Sequence, residues 1–300
     1  MTRYAAKYRR VARALSRVEL MRSSMDATFT LTDAELLDKD GGRRFLDFYG
    51  DEGLRLALDR YGFFDAVRRR GWDHFTMHSH AVDERHTLLL DGTDPDGATG
   101  RLLELVVRRD RLHVEGVDRA WEVLTVDWLG LRNPNGRFTE ERLRLPGQDA
   151  PGLGMGERVL ELLYRVVDRL GLDGLLTVAE YFHNAVLYSR ELKYVDPWYD
   201  GQLTALTRLL LERERLTFAQ AAWAVHWGLV RGPDDAAIVW RGEAMVHAHD
   251  PELKEHLVGP THAARAAEVA AHLRYTLARG ELDERWAQER DALLEAPTGP

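Results

Sequence analysis

The chain has 300 residues, 45% of them hydrophobic, with 49 acidic against 41 basic side chains and a formal net charge of −8. That composition suits a globular core and argues against a dedicated nucleic-acid binder, whose affinity rests on an excess of positive charge. There is no cysteine, so disulfide scaffolding, thiolate metal sites and cysteine nucleophiles are excluded.

No apolar run approaches the roughly 18 residues that span a bilayer, and the first residues lack the apolar core of a signal peptide. No membrane partner and a cytoplasmic location are therefore expected.

Residues 1–30 read as a basic helical arm. Arg3, Lys7, Arg9, Arg10, Arg13, Arg17 and Arg22 alternate with Tyr4, Tyr8, Val11, Leu15 and Val18 at near-helical spacing, the pattern of a solvated first helix rather than a membrane-surface arm. From Thr32 to Trp72 the reading stays helical. Thr32 and Glu35 have capping-box spacing, and Phe45, Phe48, Leu54, Leu58, Phe63, Phe64 and Val67 supply apolar faces between glycines.

A strand series follows. Phe75–His80, His86–Leu90, Leu102–Val107 and Trp121–Trp128 alternate or run apolar, with turn residues at 91–100 and 108–119. Residues 130–150 are polar and turn-rich, an elaborated surface loop or an acceptor-recognition lid.

The run from Pro151 to Tyr194 carries the densest chemistry. Gly152, Gly154 and Gly156 alternate and pass into a helix whose apolar face is Val159, Leu160, Leu162, Leu163, Val166, Val167 and Leu170, ended by Gly171 as a C-cap. Glycines at a helix start leave backbone N–H groups open at the positive end of the dipole, which suits a phosphate or pyrophosphate. Leu175, Leu176 and Val178 then form a short strand, and a second helix carries Asn184, Leu187 and Tyr188. A P-loop is excluded because no Gly-Lys-Ser/Thr follows the glycines. A dinucleotide site lacks a clear ribose-binding acid, Glu180 being the nearest candidate.

Beyond Pro197, Leu203–Leu211, Phe218–Leu229, Thr261–Ala278 and Leu282–Leu294 read as helices. Ala237–Trp240 and Glu243–His247 read as a hairpin about Arg241-Gly242.

Two motifs together resemble the GNAT superfamily of N-acetyltransferases. Pro151-Gly152-Leu153-Gly154-Met155-Gly156 is similar to the family's acyl-CoA loop, with Pro where Gln or Arg is usual. Asn184-Ala185-Val186-Leu187-Tyr188, with Lys193-Tyr194 beyond it, is similar to the family's Asn-x-x-Ala-x-x-Leu-Tyr helix followed by Gly-Phe. The resemblance covers about 75 residues, Trp121 to Asp196.

The resemblance implies a mixed α/β fold, an antiparallel meander joined to a βαβ-type crossover, with added helical regions at both ends. The divisions expected are a basic arm at 1–30, an acyl-CoA domain at 31–200, and a mostly helical region at 201–300 with a hairpin near 237–247. The closing strands of the family come soon after the tyrosine helix, so the late hairpin either fills that role, displaced by an insertion, or belongs to a separate helical module.

The implied activity is transfer of an acetyl or other acyl group from acyl-CoA to a small-molecule or peptide amine, with no resident metal and with a homo-oligomer possible. By the resemblance, Leu153, Gly154, Met155, Gly156 and Glu157 hold the pyrophosphate, Thr125 and Val126 lie where strand backbone polarises the thioester carbonyl, and Asn184 belongs to the cofactor site. Tyr188 protonates the departing thiolate, and Asp127 or Glu122 acts as base through water, with His183 a further candidate. Two other classes stay open: a catalytically silent domain that binds CoA or a protein, and a histidine-metal hydrolase built on His78 and His80 or on His247, His249 and Asp250.

Overall fold

The computed structural model describes residues 2–23 and 44–296; the Thr32–Glu35 capping box lies outside them. The chain divides into two compact units, one of Met1–Leu112, Glu122–Pro134 and Gly152–Leu172, the other of His113–Trp121, Asn135–Pro151 and Asp173–Pro300. Both mix helices with strands, and the chain is mixed α/β with mostly antiparallel pairing.

In the first unit, helices α1 (Ala5–Ala14), α2 (Arg17–Leu20), α3 (Asp51–Arg60) and α4 (Phe63–Arg68) precede strands β1 (Asp73–Val82), β2 (Arg85–Thr93), β3 (Thr99–His113) and β4 (Ala120–Leu131), and α5 (Gly156–Leu170) follows. The strands lie side by side in sequence order. All four extend the expected segments. On β2, every second residue from His86 to Gly92 is buried. The register sets Leu88 against Leu105 and Leu90 against Leu103 of β3, so apolar residues meet across the ladder on one face.

Helix α5 buries Val159, Leu163, Tyr164 and Val167, the i, i+4, i+5, i+8 stripe of a helix with one covered side. Gly171 closes it in the left-handed region at φ 68. The basic segment belongs to this unit. Tyr8, Leu15 and Leu20 are buried, the Arg169 guanidinium donates to the carbonyls of Ala12 (2.6 Å) and Leu15 (3.1 Å), and Thr2 Oγ1 donates to the buried Glu161 carboxylate at 2.5 Å. Its arginines snorkel outward while Tyr8 and Leu15 of its apolar stripe are covered and Val18 is left exposed.

The second unit holds β5 (Gly174–Val178), α6 (Phe182–Tyr188), β6 (Lys193–Tyr194), α7 (Pro197–Thr207), α8 (Phe218–His226), β7 (Val230–Arg231), β8 (Ala244–Ala248), α9 (Pro251–Val258), α10 (Pro260–His272), β9 (Thr276–Leu277) and α11 (Arg279–Glu289). Its main strands run β5-β8-β6, with β8 antiparallel to both neighbours, and β7 pairs with β9.

The hairpin expected near 237–247 does not form. Its second strand is β8, but Ala237–Trp240 does not pair with it; Ala237 makes a single antiparallel bridge to Arg231 of β7 instead. Ile238 N–H bonds the Val230 carbonyl at 2.9 Å, the Trp240 indole N–H bonds the Ala179 carbonyl at 3.0 Å, and Val239 is 77% exposed. The apolar run is thus spent on separate anchors. Helices α7 and α10 meet closely at Gly201, where an added Cβ would lie 2.6 Å from Val269 Cβ and 2.7 Å from the Ala266 carbonyl oxygen. Beside that contact, His262 Nε2 and Asp200 Oδ2 form a buried pair at 2.8 Å.

Candidate functional site

Loop 152–156 is anchored at its start. Leu153 N–H donates to the Leu131 carbonyl at 3.2 Å and Gly152 bridges to Arg132, while the Leu153 and Met155 side chains are buried. Gly154 then turns the chain at φ 62, a conformation that L side chains rarely adopt. The Leu153 amide is therefore committed to the fold. The amides of Gly154, Met155, Gly156 and Glu157 have no acceptor among the described residues. Four consecutive open N–H groups thus stand at the start of a 15-residue helix, where the dipole favours an anion. A Cβ at Gly156 would meet nothing within 4 Å, so packing within the protein does not call for glycine there.

Two arginines stand at this loop. Arg70 donates to the Gly154 carbonyl at 3.3 Å and to the Ala66 carbonyl at 2.6 Å. Arg158, at the third position of α5, lies 4.2 Å over the Tyr4 ring and donates to Tyr8 Oη at 3.4 Å. Neither has a carboxylate partner among the described residues. Burial, followed by repulsion from Arg158 and Arg69, lowers the Arg70 pKa below the ordinary arginine value. Glu157 is the acid of the first turn, and Arg3 covers it through its side chain at 2.8 Å and its backbone N–H at 2.7 Å. The result is a cluster of open amides and unneutralised guanidiniums, the donor set that a phosphate or pyrophosphate requires.

Sequence reading did not name Arg70 or Arg158. Arg158 left a signal, a cation in the first turn of a helix, where the dipole disfavours one. Arg70 left none, since only the fold brings it to a loop 84 residues away.

On β4, Val123, Leu124, Thr125 and Val126 are all buried, as for a strand covered on both faces. Thr125 Oγ1 donates to Asp110 at 3.4 Å. The Asp127 carboxylate is held at both oxygens, by Arg108 Nε and by Arg85 Nε, each at 3.2 Å, and Arg108 also pairs with Asp110. Glu122 is exposed and, five residues from Asp127 along the strand, faces the other side of the sheet. The two carboxylates do not converge.

In the second unit, Asn184 and Tyr188 are four apart on α6 and share one face. Tyr188 is half-buried, and its hydroxyl has no hydrogen-bond partner among the described residues. Burial, with Glu180 adding to it, raises its pKa above 10.0, so the phenol carries its proton at neutral pH. His183 is buried and stacks on Tyr181 with ring centroids 5.4 Å apart. Its Nδ1 has no hydrogen-bond partner among the described residues, and burial, then His226, lowers its pKa to about 4.

Among the described residues no group of three or more His, Asp or Glu side chains is placed to hold a metal ion; His78 and His80 are exposed on β1. No helix among them is long and apolar enough to cross a membrane. No family model, curated protein or solved structure matches the chain.

Proposed function

We propose that the chain is a GNAT-like N-acyltransferase that binds acyl-CoA through its pyrophosphate at residues 154–157 and passes the acyl group to an amine. The observation that carries this reading is the run of four open amides beside the unneutralised Arg70 and Arg158. The strand order β5-β8-β6 supports it, since a closing strand displaced along the sequence by a helical insertion gives that order.

In this reading the acceptor nitrogen attacks the thioester carbonyl, the C–S bond breaks, and Tyr188 gives its proton to the leaving thiolate. Its raised pKa keeps that proton in place before the reaction and makes the tyrosinate a base able to be reprotonated afterwards. The acceptor sheds its own proton to water or to a strand carboxylate.

Titration calorimetry with acetyl-CoA tests the binding step. Gly156→Asp is the cleaner loop variant, because a Cβ there meets nothing within 4 Å, whereas Gly154→Asp also strains a left-handed residue. The wild type is expected to bind in the micromolar range, about −8 kcal/mol, with the variant at least about 100-fold weaker. A folded wild type that ignores acetyl-CoA would overturn the reading.

A second reading, a domain that binds CoA without transfer, is favoured by one observation: both oxygens of Asp127 are already engaged by arginines. Tyr188→Phe separates the two. A transferase loses turnover by about 10- to 1,000-fold while keeping its acetyl-CoA affinity, whereas a silent domain shows no turnover to lose.

A further inference from the structure

The polar, turn-rich loop that precedes the glycines contributes Arg144 to a second site, whose residues all lie in the second unit. A bowl of about 430 Å3 is lined by Arg144, Trp223, His226, Trp227, Arg285 and Glu289, with Leu293 at its edge. The backbone of Arg144 is fixed on both sides: its N–H donates to the Leu293 carbonyl at 3.0 Å, and its carbonyl accepts the Trp223 indole N–H at 2.8 Å. Arg144 Nε is buried and has no hydrogen-bond partner among the described residues. A desolvated donor without an acceptor is a standing cost to the fold that an incoming acceptor would remove.

Arg285 approaches from α11. Its guanidinium lies 4.5 Å over the Trp227 ring. Glu289 sits one helical turn away at the usual ion-pair spacing, yet Arg285 pairs with no carboxylate among the described residues. A guanidinium laid on an indole keeps its in-plane N–H groups for an oxyanion. The indoles of Trp223 and Trp227 are 5.2 Å apart and tilted by 36°, which gives the bowl an aromatic floor. Two cations, one acid and two indoles in an open bowl describe a receptor for a flat ring that carries one negative charge.

We propose that this bowl binds a small aryl carboxylate, the carboxylate received by Arg144 and Arg285 and the ring lying against Trp223. The inference is independent of the acyl-transfer reading, because no residue of loop 152–157 takes part in it.

Benzoate is the probe, followed by tryptophan fluorescence and by calorimetry on the full chain, with benzamide and inorganic phosphate as controls. Benzoate is expected to bind with Kd near or below about 1 mM, and benzamide and phosphate at least about tenfold more weakly, since each lacks one of the two recognition elements. Arg285→Gln, on an exposed helix position, and Arg144→Gln are each expected to weaken benzoate about tenfold or more. Failure of the folded wild type to bind benzoate would overturn the proposal, as would benzamide or phosphate equalling benzoate. So would an affinity untouched by Arg285→Gln. The wild-type ligand comparison decides the matter even where Arg144→Gln fails to fold.

Discussion

The first unit contains two arginine groups of opposite character. Arg85 and Arg108 sit on the strands with Asp127 and Asp110 between them, every charge answered within the protein. Arg70 and Arg158 sit at the glycine loop with carbonyls and rings as partners and no acid among the described residues. Strand geometry accounts for the first group, since ladder neighbours of opposite sign are a common way to finish a sheet surface. No carboxylate among the described residues neutralises the second, and cations kept close together without counter-charge cost stability unless an anion joins them. A charge that the fold leaves unanswered points to something outside the fold.

The contrast is broken or sharpened first by exchanging the charges. The double variant Arg70→Gln, Arg158→Gln is expected to weaken acetyl-CoA by about 1,000-fold, roughly 4 kcal/mol, from two charge-assisted contacts. Arg85→Gln and Arg108→Gln are expected to leave that affinity within about twofold, because their guanidiniums already have carboxylate partners. Raising the salt concentration should weaken the wild type more than the double variant. Equal losses from both groups of variants, read by calorimetry, would erase the distinction.

His183 extends the contrast to a base in the second unit, buried with one ring nitrogen unpartnered among the described residues. Its pKa falls from 6.5 to about 4, so below pH 6.5 the unfolded chain takes a proton that the folded chain refuses. Stability from this group is fully present above about pH 6.5 and is lost as pH falls to about 4, by about 3 kcal/mol in total. Urea unfolding of wild type and His183→Phe across that window checks it. The difference between their stabilities should shift by that amount in favour of the variant at low pH, and parallel curves would show that the histidine finds a partner.

The sequence made the frame of both units legible where one local rule decides the outcome. Alternation marked β2 because one of its faces is buried, a continuous apolar run marked β4 because Val123–Val126 are all covered, and Gly171 marked the end of α5 because a left-handed residue is needed there. The glycine loop was legible as a turn into a helix. It was not legible that the Leu153 amide would be taken by Leu131, nor that Arg70 would arrive from 84 residues away, because both depend on which strand the loop leaves and which helix lies beside it. Ala237–Trp240 misled for the complementary reason: four apolar residues satisfy a strand pattern, but a strand also needs a neighbour with open amides, and β8 already has β5 and β6 on its two sides. The role of Arg144 was hidden likewise, its loop being shaped by contacts to Trp223 and Leu293 far along the chain.

The smallest effect is expected at Asp127, and it tests the neutralised group directly. Asp127→Asn removes the charge but keeps the shape, leaving Arg108 with Asp110 and leaving the solvent-exposed Arg85 to water. Stability should fall by only about 0–1 kcal/mol, as for exposed ion pairs, with acetyl-CoA affinity unchanged. If Asp127 is instead the base of an acyl transfer, turnover should fall by about 100-fold or more while stability barely moves. Chemical denaturation and steady-state kinetics on the one variant separate a carboxylate that finishes a sheet surface from one that takes a proton, and a large loss of turnover would mean that the two arginines position Asp127 rather than retire it.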